Sequence, residues 1–124
     1  MHMLPAQLKA FVERMGRSGF EVWLIGSRAN GTATERSDWD LLVFGNVVLL
    51  ERLKEEQAPE NADVLVVYDG NEFRSTWRGN DGTVKSGSLA GWKWRACSNA
   101  EATYRGTKWP DDWGSTRRAV RLAP

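Results

Sequence analysis

The sequence predicts an α/β (α+β) fold: a small mixed β-sheet with helices mainly on one face and a β-rich C-terminal extension. Three observations carry this. Segments of helical spacing alternate with apolar, strand-like runs through the first half. One of those runs, Val64-Leu65-Val66-Val67, is apolar at every position, as in a central strand covered on both faces. Beyond residue 78 the chain turns rich in Gly, Ser and Thr and alternates, as in Trp92-Lys93-Trp94-Arg95.

Taken in order, Leu4, Leu8, Phe11, Val12 and Met15 recur at helical spacing, so residues 5–15 form an amphipathic helix. Pro5 suits its first turn, and Gly16 and Gly19 end it. Residues 20–25 are strand one. Residues 26–33 are a turn and a short helix, and 34–37 a polar loop. Strand two, 39–45, returns beside strand one. Asn46 can cap the next helix, 47–57, whose buried stripe is Leu49, Leu50 and Leu53. Strand three is 62–68, with Asp63 at its mouth and Asp69-Gly70 as the turn beyond it. Residues 71–77 are expected as a short helix and 83–106 as two or three short strands turning at Ser98-Asn99. Residues 108–114 are expected as a loop and 115–122 as a final short helix, or frayed.

With 124 residues the chain is one domain, a core over 1–77 and a basic, Trp-rich extension over 78–124. No apolar run approaches the roughly 18 residues of a membrane span. Met1-His2-Met3-Leu4-Pro5 lacks the basic start and apolar core of a signal peptide. The single cysteine, Cys97, excludes an internal disulfide framework and a Cys-rich zinc site, and is expected to be a small buried hydrophobe. These features point to the cytoplasm. Residues 1–77 hold 8 Lys/Arg against 12 Asp/Glu, a net −4, whereas 78–124 hold 9 against 4, a net +5. Four of the seven tryptophans lie in that basic part, where they can pack an edge or stack bases.

The chemistry is concentrated in one run. Gly26-Ser27 follows strand one, and ten residues later Asp38-Trp39-Asp40 opens strand two. Period-two geometry puts Asp38 and Asp40 on one face. Two close carboxylates repel unless a cation sits between them, and Mg²⁺ prefers such hard oxygens. Gly26 lets backbone approach a ligand without a Cβ, and Ser27 opens a short helix whose N–H groups can face phosphate. The bland readings are strand-entry aspartates on a solvated edge and a plain helix cap. Arg28 either touches the phosphates or faces solvent.

Gly26-Ser27-Arg28-Ala29-Asn30-Gly31 followed by Ser37-Asp38-Trp39-Asp40-Leu41-Leu42-Val43 closely resembles the minimal nucleotidyltransferase domains of the polymerase-β-like superfamily. The resemblance covers residues 19–77. It implies a nucleotidyltransferase-like fold and transfer of a nucleoside monophosphate, AMP from ATP, to a hydroxyl acceptor on a protein or small molecule. It implies two Mg²⁺ held by Asp38, Asp40 and a third carboxylate, for which Asp63 is the candidate, with Gly26, Ser27 and Arg28 on the nucleotide. Small family members act with a helical protein partner, commonly as antitoxin to a toxin. A partner, or a homodimer sharing the cleft, would complete the site here. The β-rich, basic tail departs from the family's helical substrate domain. The alternative is a catalytically inactive module of the same fold that binds nucleotide, nucleic acid or a protein partner.

Overall fold

The computed structural model describes residues 4–78, 82, 84–105 and 116–123. Helix α1 (Ala6–Arg17) buries Leu8, Phe11, Val12 and Met15 along one stripe, and Arg14 and Arg17 stand in its last turn, where the carbonyl end favours cations. Strand β1 (Glu21–Ile25) and the one-turn α2 (Ser27–Asn30) follow. Then come β2 (Trp39–Phe44), α3 (Val47–Lys54) and β3 (Ala62–Tyr68). Strands β4 (Glu72–Ser75), β5 (Ser86–Ser88), β6 (Arg95–Ala96), β7 (Glu101–Arg105) and β8 (Thr116–Ala123) complete the described chain.

All eight strands join one sheet in the order β5-β4-β3-β2-β1-β8-β7-β6. Strands β2 and β3 run parallel, joined by the crossover through α3, and the other described neighbours are antiparallel. Successive strand residues alternate between two cores. Val22 and Leu24, Trp39, Leu41 and Val43, and Val64 and Val66 face the helices, against Leu8, Phe11, Val12, Met15, Leu49, Leu50 and Leu53. Trp23, Ile25, Leu42, Leu65 and Val67 face the other way, against Phe73, Leu89, Ala102, Tyr104 and Ala119. So β3 is covered on both faces, as its unbroken apolar run predicts. The helices share one face, giving the mixed α+β architecture expected from the sequence. Trp92 and Trp94 close the second face: Trp94 meets Trp23 edge-on at 5.4 Å and Trp92 lies 4.6 Å from Phe73.

The cap on α3 is the one the sequence predicts. Asn46 is extended (φ −155°) and its side chain accepts the Leu49 N–H at 2.8 Å. Asn46→Ala is expected to lower stability by about 1 kcal/mol with no change in the denaturant slope, readable in a urea melt.

Three expectations are corrected. Residues 71–77 are not a helix: Asp69 (φ 54°) and Gly70 (φ 71°) reverse the chain, and β4 returns antiparallel on β3. Its Phe73 and Ser75 are buried while Glu72 and Arg74 are exposed, a period of two. The described part of 115–122 is also not a helix but β8, which pairs with β1 on the edge β2 leaves open. Cys97 is exposed, not buried. It sits in the bend between β6 and β7, which does fall at the predicted Ser98-Asn99 turn. The loop expected over 108–114, and His2, lie outside the described residues.

Candidate active site

The end of β1 and the starts of β2 and β3, three neighbouring central strands, meet at one end of the sheet. Asp40 is the cross-strand partner of Ile25 on one side and, in the parallel ladder, of Asp63 on the other. In-register neighbours on adjacent strands are about 4.8 Å apart. Asp40 alternates with Trp39 and Leu41, which face the helices, so it shares the opposite face with Leu42. Asp63 shares that face with Leu65 by the same rule. Asp38, just before β2, and Asp40 are both half-buried.

Gly26 touches this group. Its backbone (φ 73°, ψ −157°) is a conformation glycine alone adopts readily. A Cβ there would lie 2.3 Å from Asp40 Oδ2. The turn thus lies flat against the carboxylate because it carries no side chain. Ser27 begins α2 with Gly26 as its N-cap. Asn30 fastens the turn: its Nδ2 donates to the Gly26 carbonyl (2.8 Å) and to the Arg118 carbonyl (3.1 Å), and its Oδ1 accepts the Arg118 N–H (2.8 Å).

Arg28 points elsewhere. Its guanidinium lies 4.3 Å from the Trp39 ring centre, on the helix side of the sheet, and donates to the Ser37 carbonyl at 2.8 Å. Its Nε is buried without a hydrogen-bond acceptor among the described residues, and the Trp39 ring lies beside the guanidinium. Arg28 therefore braces the segment that carries Asp38.

Asp63 has a partner, one of the two outcomes its place at the mouth of a buried strand allows. Lys85 Nζ donates to its Oδ2 at 2.9 Å, with the Asp63 side chain 14% exposed. Among the described residues no three His, Cys, Asp or Glu side chains are gathered closely enough to hold a metal ion. The donor type nevertheless fits Mg²⁺: Asp40 and Asp63 are carboxylates in register on adjacent strands.

Sequence reasoning missed Tyr104, Arg117 and Lys85. The Tyr104 hydroxyl accepts the Gly26 N–H at 2.8 Å. Its cross-strand partner Arg117 donates a hydrogen bond to the same phenol. Burial raises the Tyr104 pKa, the Gly26 amide and Arg117 oppose that, and the Asp40 charge adds to it, so the phenol is neutral in the physiological range. The only sequence signal for Tyr104 is its place in the alternating Ala102-Thr103-Tyr104-Arg105, which says strand and nothing of Gly26.

A family model described as "Nucleotidyltransferase domain" matches residues 5–99. No curated protein and no solved structure matches the chain significantly. The matched span runs from α1 through β6 and includes the Gly26-Ser27 turn, all three aspartates and Lys85. The match, on a mixed sheet that sets the turn against Asp40, makes this chain a member of the nucleotidyltransferase domain family, of the polymerase-β-like superfamily.

Proposed function

We propose that the protein is a Mg²⁺-dependent nucleotidyltransferase that moves a nucleoside monophosphate, AMP from ATP, to a hydroxyl of a protein or small molecule. The observation that carries this is the Gly26 backbone lying against the Asp40 carboxylate, with Asp40 in register with Asp63. A glycine turn that admits phosphate beside carboxylates that admit a hard cation is a site for a nucleoside triphosphate. Gly26 and Ser27 hold the β- and γ-phosphates. Asp38 and Asp40, joined by Asp63, hold the two ions, which supply charge neutralisation at the phosphates. The acceptor oxygen bonds to the α-phosphorus as the bond to pyrophosphate breaks, and Asp63 takes the acceptor's proton. In this scheme Arg28 acts through Ser37 and Trp39 to position Asp38. Lys85 offsets the Asp63 charge.

The acceptor and any partner belong to the same proposal. An antitoxin-like pairing with a protein, or a homodimer that completes the cleft, would bring the acceptor hydroxyl to Asp63. No described helix is long and apolar enough to cross a membrane, and a nucleotide substrate suits a cytoplasmic setting.

Two observations favour a second reading, an inactive module of the same fold. Lys85 is bonded to Asp63, and the Gly26 N–H is bonded to Tyr104. Thermal shift with ATP, GTP, CTP and UTP, with and without Mg²⁺, separates the two. The enzyme reading expects a Mg²⁺-dependent rise in melting temperature, largest with ATP. A rise that ignores Mg²⁺ and fades with salt supports the binding module. No rise with any nucleotide, in folded protein, sinks the nucleotide site.

A further inference from the structure

We propose that the antiparallel strand pair β7 and β8 is a working part of the nucleotide site, with Tyr104 fixing the Gly26 amide and Arg117 serving as the cation that meets the triphosphate. This rests on the nucleotidyltransferase reading above. It goes beyond the matched span, which ends at residue 99, before both strands begin.

The strand pair is tied to the turn by three hydrogen bonds. Tyr104 accepts from Gly26 across 78 residues of sequence. Asn30 makes two hydrogen bonds to the backbone of Arg118, across 88 residues. Arg117 is adjacent to that anchor in the chain and opposite Tyr104 in the ladder. Residues 117 and 119 alternate with 118, so Arg117 shares a face with Ala119 and Tyr104, the face of Asp40. The register of β8 is thus fixed from both sides, and with it the place of the Arg117 guanidinium.

A triphosphate needs cations as well as amides. Arg117 stands beside the phenol that already receives the Gly26 amide, so two donors converge on one oxygen there. The Tyr104 hydroxyl thus holds the Arg117 side chain beside the Gly26 turn. An arginine has five N–H donors in a fixed fork, so Arg117 can grip a phosphate and keep its bond to Tyr104. The inferred ligand class is the polyphosphate of a nucleotide, and not its base or sugar.

The test is calorimetric titration of the full chain with Mg²⁺-ATP and, separately, with AMP. The proteins are the wild type, Arg117→Gln, Arg117→Lys, Tyr104→Phe and Asp38→Ala/Asp40→Ala, with circular dichroism on each. Arg117→Gln is expected to weaken ATP on the order of tenfold or more and to leave AMP unchanged, because the lost charge-assisted bonds go to phosphates that AMP lacks. Arg117→Lys is expected to recover part of the loss, since it keeps charge without the fork. Tyr104→Phe is expected to weaken both nucleotides, through the loosened turn. A merely structural Arg117 would move ATP and AMP together, which overturns the proposal. So does ATP affinity in Arg117→Gln equal to wild type. If the Gln variant does not fold, Arg117→Lys decides: the proposal stands on a selective, few-fold loss for ATP and falls on none. A wild type that binds no Mg²⁺-ATP overturns the underlying reading, and this proposal with it. Wild-type binding that survives in Asp38→Ala/Asp40→Ala but fails in Arg117→Gln overturns only the metal assignment and supports Arg117.

Discussion

Asp38→Ala/Asp40→Ala is expected to abolish transfer of label from α-phosphate-labelled ATP, a loss of at least roughly 10³-fold. It should also erase any Mg²⁺-dependent thermal shift while the protein stays folded. Both side chains are half-buried at a sheet end, and Asp40 stands in register with Asp63. The melting temperature of the double variant without ligand is therefore read beside its transfer rate. Loss of transfer with unchanged or higher stability is the signature of residues kept for chemistry. A double variant that melts early would assign the pair a structural role, and one that transfers label at the wild-type rate would remove the metal reading altogether.

Gly26→Ala is expected to cost both stability and function. The new Cβ would fall 2.3 Å from Asp40 Oδ2 and 3.2 Å from its Cγ, at φ 73° and ψ −157°. The backbone conformation alone costs on the order of 1–3 kcal/mol for a residue with a side chain. The carboxylate must move as well, or the turn must lift from it. A fall in melting temperature on the order of 5–15 °C should accompany loss of Mg²⁺-ATP binding. Gly31→Ala is the control: it shares φ 73° in the same loop but has nothing within 4 Å of the added Cβ. It should cost stability by strain alone and leave nucleotide binding in place. Equal nucleotide loss in the two variants would mean that backbone strain, not the approach to Asp40, explains Gly26.

Local information determined a good deal. The spacing of Leu8, Phe11, Val12 and Met15 predicts α1, Asn46 predicts the start of α3, and the apolar run of β3 predicts a central strand. Each is a period or a cap within a few residues, so each is legible in sequence. The same period of two sets Asp40 on the face of Leu42, opposite Trp39 and Leu41. The Gly-Ser turn and the Asp-x-Asp pair at their spacing identify the family, which the match over residues 5–99 bears out. Pairing between distant segments was decided by the tertiary structure alone. Thr116–Ala123 is rich in Ala, Arg and Leu, good helix formers, yet it is strand β8 because β1 offers an unpaired edge whose N–H and C=O groups need partners. Glu72–Ser75 is strand β4 because the turn at Asp69-Gly70 folds it back onto β3. Cys97 is exposed because its bend lies at the rim of the sheet, beyond the reach of either core. Tyr104 stands at Gly26, with Arg117 opposite it in the ladder, for the same reason. Hydrogen bonds spanning 78 and 88 residues depend on which strands become neighbours, and no local pattern in the chain encodes that.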